Sequence, residues 1–328
     1  MASNLGSISK LLVANRQARV CFSNPFSGRR WLNLLEPHPR YGLLFKRNLN
    51  YSKRVLGFSF ATNNLGFRGP SNPEAPGVIF GTSFAMGLSV DNGDNWYELL
   101  LDPDKWFNGG MPVGPRNNAN VLDDLYRGSY DTLIYLYHPN LWKTAQGFVR
   151  AEKTGKDIFQ TLGWKTGFWQ TLSLYPKWVA KEFYKTKHGW SVHSKWNGQD
   201  FFFNSRYNLM DVPKNLEFAK SQMSILNSIF ARFKTVLVVR YPIKEDIAGR
   251  LGFSDDLRTL AANNDEWWNF FVSNAAPSVR THSLMDGGFE SIDFHPYDTH
   301  WTANGNQKFT ELLRPLLMAA HVDGVKQR

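Results

Sequence analysis

The 328-residue chain is 42% hydrophobic, enough for one large core or two smaller ones, and its single cysteine, Cys21, excludes an internal disulfide or a multi-thiolate metal site. No stretch reaches the ~18 apolar residues of a membrane span or the ~7–15 of a signal-peptide core, which predicts a soluble, cytoplasmic protein. The formal charge of +10 suits an anionic partner, but no zinc-finger, helix-turn-helix or RNA-binding fingerprint accompanies it, so no nucleic-acid partner is expected.

Residues 1–60 read as an irregular N-terminal extension, broken by Pro37, Pro39 and Gly42, ahead of a domain over 61–328. From Gly77 the pattern becomes regular. GVIFG (77–81) is a short apolar run bounded by Pro76 and Gly81, as a strand buried on both faces should be. Met86, Val90, Trp96, Leu99 and Leu100 then suit a helix interrupted by a turn at Asn92 and Gly93. DTLIYLYH (131–138) and KTVLVVRY (234–241) read as two more strands, each ended by a proline. Before the second, Leu216, Met223, Leu226, Ile229 and Phe230 share one helical face, and QKFTELLRPLLMAA (307–320) predicts a C-terminal helix. This alternation predicts a three-layer α/β/α sandwich around a central parallel sheet.

The rhythm breaks at about 142–213, which reads as an aromatic, basic insertion. Between Trp142 and Trp196, ten Lys or Arg stand against three Asp or Glu, with six of the chain's twelve tryptophans. That segment therefore carries most of the net charge.

Ser83 follows the first regular strand in GTSFAMG (81–87). A lone serine there is more readily a helix N-cap. A nucleophile needs more: a base within hydrogen-bond reach, an acid to orient the base, and donors for the oxyanion. DFHPYDTHWTANG (293–305) offers two Asp-x-His pairs, Asp293 with His295 and Asp298 with His300, and their spacing alone does not rank them.

Four blocks in chain order resemble the SGNH (GDSL-like) hydrolases. GTSFAMG is similar to the strand-end nucleophile block, with Ser83 as the nucleophile and Thr82 in place of the usual Asp. WFNGGMPVG (106–114) is similar to the block that carries the oxyanion glycine, best matched by Gly110 with Gly109 as the alternative. LIYLYHPNLW (133–142) places Asn140 where the family has its oxyanion asparagine, although HPN departs from the usual Gly-x-Asn-Asp. DTHWTANG is similar to the last block, with Asp298, His300 and the Trp301 that follows. NNLGFRG (63–69) also resembles the Asn-x-Gly-x-Arg-Gly lead-in of a bacterial subset. The Gly-x-Ser-x-Gly elbow of the α/β-hydrolases is not met, because Ala85 occupies its last position.

The resemblance implies an SGNH/flavodoxin-like sandwich and a serine esterase. Its triad would be Ser83, His300 and Asp298, and its oxyanion hole the N–H groups of Ser83 and Gly110 with the Asn140 side chain. In the bacterial subset the ester-linked group is often the acetyl of a polysaccharide, so an acylated carbohydrate or a small ester is the expected substrate. An O-acyltransferase and a non-catalytic glycan- or partner-binding module are the alternatives. Trp142 and Trp301 are candidates to stack on a sugar, and the basic insertion could meet uronate or sialate carboxylates, although tryptophans there could equally be packing. No cofactor or metal is expected, since HGWSVH (188–193) has no matching carboxylates and DNGDN (91–95) lacks the closing Glu of a calcium loop.

Overall fold

The computed structural model describes residues 35–38, 40–51, 58–69, 72–110, 114–154, 192–204, 212–296, 298–322 and 324–326. Two short antiparallel pairs come first, β1 (Leu35–His38) with β2 (Gly42–Phe45) and β3 (Asn50–Tyr51) with β4 (Phe60–Ala61). Tyr41, Leu44, Phe45 and Phe60 are buried in the same core as the main sheet. The described part of the expected 1–60 extension is thus packed onto the domain, because its aromatic residues have apolar surface to bury.

The main sheet uses β5 (Gly77–Phe80), β6 (Trp106–Asn108) and β7 (Thr132–Tyr137). After an antiparallel hairpin of β8 (Val192–Trp196) and β9 (Gln199–Phe203), it is completed by β10 (Thr235–Arg240) and β11 (Val279–Ser283). Its five strands lie in the order β11-β10-β7-β5-β6 and every pairing is parallel. The apolar runs explain the burial on both faces. Val78, Phe80, Leu133, Tyr135, Tyr137, Val236 and Val238 point into one core, and Ile79, Ile134, Leu136, Leu237 and Val239 into the other, following the two-residue period of a strand.

Helices cover both faces. In chain order they are α1 (Trp96–Leu100), α2 (Pro115–Asp124), α3 (Asn140–Thr154), α4 (Val212–Phe230), α5 (Lys244–Arg250), α6 (Asp255–Asn274) and α7 (Ala303–Ala319). Val121 of α2, Trp142 of α3, Met223 and Leu226 of α4 and Trp267 of α6 fill the first core. Leu100 of α1, Ile247 of α5 and Phe309, Leu313 and Leu317 of α7 fill the second. The architecture is the three-layer α/β/α sandwich that the alternation predicts. Each fully buried leucine or phenylalanine contributes roughly 1.5–3 kcal/mol of transfer free energy to it.

Some expectations change. Residues 82–90 form turns rather than the first part of a helix, and only Trp96–Leu100 is helical. Gly87 and Ser89 there have φ of +71° and +74°, which no right-handed helix allows. The expected insertion at 142–213 begins inside α3 and includes the β8–β9 hairpin, while residues 155–191 lie outside the described residues. No helix among the described residues is long and apolar enough to cross a membrane.

Counting only main-sheet strands, the order is 2-1-3-4-5, with its switch point between β5 and β7. In open sheets of this kind ligands bind at the carboxyl ends of the strands beside that point. Ser83 follows β5, Gly110 follows β6, and Asn140 follows β7. All three therefore emerge at one edge of the sheet.

Candidate active site

Ser83 is carried by successive tight turns at the end of β5. Thr82 O accepts from the N–H of Ala85 at 3.0 Å, Phe84 O from Gly87 at 3.0 Å, and Ser83 O from Leu88 at 3.0 Å. Gly81 permits the sharp exit from the strand: its φ is +150°, and a Cβ would lie 2.8 Å from Leu136 O. The far side of the loop is held by Arg68, the arginine of the lead-in motif. It is 1% exposed and donates to the carbonyls of Gly87 and Val90. Thr82 turns inward to hydrogen-bond the Tyr241 hydroxyl at 2.6 Å.

Asp298 and His300 reach the same place from a hairpin-like loop ahead of α7. Phe294 and Trp301 form an antiparallel bridge, and the His295 N–H donates to His300 O at 3.1 Å. The bend between these anchors brings a carboxylate and an imidazole two residues apart into contact. His300 Nδ1 lies 2.8 Å from Asp298 Oδ1, and His300 Nε2 lies 2.7 Å from Ser83 Oγ. A carboxylate only accepts, so Nδ1 carries the proton and Nε2 is the acceptor for the serine hydroxyl. His300 is 9% exposed, and its imidazole packs beside the Phe84 ring, 4.9 Å between centroids.

The carboxylate has further partners. Ser89 Oγ donates to Asp298 Oδ2 at 2.7 Å, so both carboxylate oxygens are engaged. The Ser89 carbonyl accepts from His295 Nε2 at 3.1 Å, which fixes the Nε2–H tautomer of that ring. Burial alone would raise the Asp298 carboxyl, but the charge and hydrogen bond of His300, with His295 and Ser89, hold it far below the ordinary carboxylate range. Burial lowers His295 below its usual value, with Asp298 opposing. The structure thus separates the two Asp-x-His pairs. Asp298 and His300 meet the serine, whereas Asp293 accepts from the Glu290 N–H at 2.8 Å and pairs with Lys308 at 3.2 Å.

The candidate oxyanion residues lie at the carboxyl edge of the sheet but differ in availability. Gly109 donates its N–H to Ile79 O at 2.9 Å, prolonging the β5–β6 ladder. Gly110 lies against the nucleophile loop, where a Cβ would sit 2.7 Å from the Met86 nitrogen. Its N–H is directed to Asn108 Oδ1 at 2.9 Å, so an oxyanion would have to compete for that proton. Asn108 is 2% exposed and its amide donates to Ala85 O at 3.3 Å, linking β6 to the same loop. Asn140 opens α3, and its N–H donates to Nδ1 of His138 at 3.1 Å. His138 is fully buried with Asp246, their side chains 3.6 Å apart, and Asn264 donates to Asp246 at 2.6 Å.

The two expected sugar-stacking tryptophans are not at a surface. Trp142 is fully buried, donates to the Tyr137 hydroxyl at 3.0 Å and packs on Trp267. Trp301 is 2% exposed, donates to Pro242 O at 3.0 Å and packs edge-on to Phe84. Both indoles have apolar neighbours and satisfied N–H groups, so neither offers a face to a sugar. Ser89, Asn108 and Arg68 were not singled out from sequence. Arg68 had a signal in its motif, while the positive φ that aims Ser89 leaves no trace in residue type.

Among the described residues no group of three or more His, Cys, Asp and Glu is placed to hold a metal ion. Comparison with protein-family models and with curated proteins finds no match.

Proposed function

We propose that this chain is a serine esterase of the SGNH type acting on ester-linked acyl groups, acetyl foremost, of a carbohydrate. One observation carries the reading: an unbroken hydrogen-bonded chain from Ser83 Oγ through His300 to Asp298 at the sheet's switch point. A capping serine needs no imidazole, and a surface Asp-x-His pair needs no serine.

In this reading His300 Nε2 takes the Ser83 proton as Oγ bonds to the ester carbonyl carbon. Asp298 holds Nδ1–H and stabilises the imidazolium. The negative oxygen is met by the Ser83 N–H, by the Gly110 N–H once it leaves Asn108, and by the Asn140 amide. Collapse breaks the ester C–O bond, the leaving alcohol takes the proton from His300, and an acyl-Ser83 remains. Water then gives a proton to His300 as its oxygen bonds to the acyl carbon, and collapse breaks the acyl C–Oγ bond, releasing a carboxylic acid while His300 returns the proton to Ser83 Oγ. If a glycan hydroxyl took the place of that water, the same steps would make the protein an O-acyltransferase.

The test is p-nitrophenyl acetate turnover beside deacetylation of O-acetylated glycans. Burst release of nitrophenol, and acetate from a glycan at a kcat/KM above that of the small ester, support the reading. Turnover unchanged by Ser83→Ala removes it.

A further inference from the structure

We infer that Lys244 and Glu245 are positioning residues, a buried pair of opposite charges that fixes the loop carrying Asp298 and His300 and joins it to the β8–β9 hairpin. This inference rests on the triad reading above.

Both residues open α5 and both are 1% exposed. Lys244 Nζ donates to the carbonyls of His295 and Pro296, at 3.2 and 3.0 Å. Glu245 Oε2 accepts from Thr299 Oγ1 at 2.9 Å, and Oε1 accepts from the Asn204 N–H at 3.2 Å. The acid is therefore bracketed: Lys244 holds the residues before Asp298, and Glu245 holds the one between Asp298 and His300. The hairpin enters through the same contacts. Phe202 N–H donates to Pro296 O at 3.0 Å, and the Phe201 and Phe203 rings stand 5.9 and 5.8 Å from the Lys244 ammonium.

Stability alone does not explain this choice. Burial pushes the Lys244 ammonium down and the Glu245 carboxyl up, each partly offset by its neighbour's charge, so both ionised forms are costly where they stand. Apolar residues of similar volume are often at least as stabilising as a buried ion pair. What they could not supply is directional bonds to two carbonyls and a hydroxyl on either side of Asp298, and to an amide at the end of the hairpin. Catalytic geometry tolerates little error, and a shift of about 1 Å costs up to ~10²-fold in rate.

The experiment compares Thr299→Val, Thr299→Ser, Glu245→Gln, Lys244→Met and the double variant Glu245→Gln/Thr299→Val. The readouts are kcat and KM on p-nitrophenyl acetate, melting temperature, and the downfield proton NMR signal of His300 Nδ1–H, assigned by its loss in His300→Gln. The expected result is a kcat lowered about 10- to 100-fold at nearly constant KM in Thr299→Val and Glu245→Gln, with a displaced or broadened His300 signal. The double variant should be no worse than the poorer single, and Thr299→Ser, which keeps the hydroxyl, should recover most of kcat. An unchanged kcat and NMR signal with only a lower melting temperature would overturn the inference. If Lys244→Met does not fold, Thr299→Val decides, since it removes one hydroxyl from a half-buried position. Should the wild type prove inert on every ester, the esterase reading falls, and the His300 signal alone still decides whether the pair positions the loop.

Discussion

His300 Nε2 and Ser83 Oγ lie 2.7 Å apart although 217 positions separate them in the chain. Neither local sequence could bring them together. Their approach is fixed by the packing of α1 on α7, where the Trp96 N–H donates to Asn306 Oδ1 at 3.1 Å and the Trp96 and Phe309 rings meet edge-on at 5.4 Å. The nucleophile loop joins this clamp because the Trp96 indole donates to Phe84 O at 3.0 Å. Ser83→Ala and His300→Ala should therefore each lower kcat by ~10⁴–10⁶-fold, with melting temperatures near wild type. The double variant should be no slower than either single, as for residues that act as one unit.

Asp298 works through two separable bonds. Asp298→Asn leaves an amide facing His300 Nδ1 and should cost ~10⁴-fold in kcat by favouring the wrong tautomer. Ser89→Ala removes only the bond to Oδ2, and its loss should be about tenfold. Steady-state kinetics on a small ester, with KM as the control, separates the two. Equal losses would mean that Ser89 does more than steady the carboxylate.

The strands β5, β7 and β10, the helices α4 and α7 and the place of Ser83 after β5 are legible in sequence because uninterrupted apolar runs such as TLIYLY admit few other readings, whereas α2, α3, α5 and α6 have no counterpart in the sequence reading. β6 is three residues long and β11 is half-exposed, so neither carries a strong periodic signal. The tryptophans misled for a different reason. Trp142 has the residue type of a sugar platform, and only the packing of α3 against α6 through Trp267 shows it to be core. Lys244 and Glu245 carry no sequence signal of burial, which arises from a loop and a hairpin remote in the chain.

Asn140→Ala tests the oxyanion assignment. Loss of one donor costs about 10²–10³-fold in turnover where the donor meets the developing charge. That loss should appear in kcat with little change in KM. A variant with wild-type kcat would leave the oxyanion to backbone N–H groups alone.

Trp142→Ala should destabilise the fold by about 3–5 kcal/mol, since it empties a fully buried site and removes the donor to the Tyr137 hydroxyl, which keeps only its bond to Trp267 O. Chemical denaturation measures the loss. Affinity for any acylated glycan, read below the melting temperature, should be unchanged. A selective rise in glycan KM with normal stability would restore a direct substrate role.

His295 predicts a sign for the acid dependence of stability. Its native pKa lies below the ordinary 6.5, so the unfolded chain takes up a proton as pH falls while the folded ring resists it. The contribution is fully present above the ordinary value and is lost as pH falls through the lowered native one. Stability should thus decline as pH falls below about 6.5, and His295→Gln should reduce that slope. Melting curves across the range check it, and an unaltered slope in the variant would assign the decline to other groups.

Activation of Ser83 by His300 is read out by mass-resolved labelling with a fluorophosphonate. One covalent adduct is expected, on the peptide carrying Ser83, formed rapidly in the wild type and at least ~10³-fold more slowly in His300→Ala. No adduct on folded wild-type protein, or equal labelling with and without His300, would contradict it.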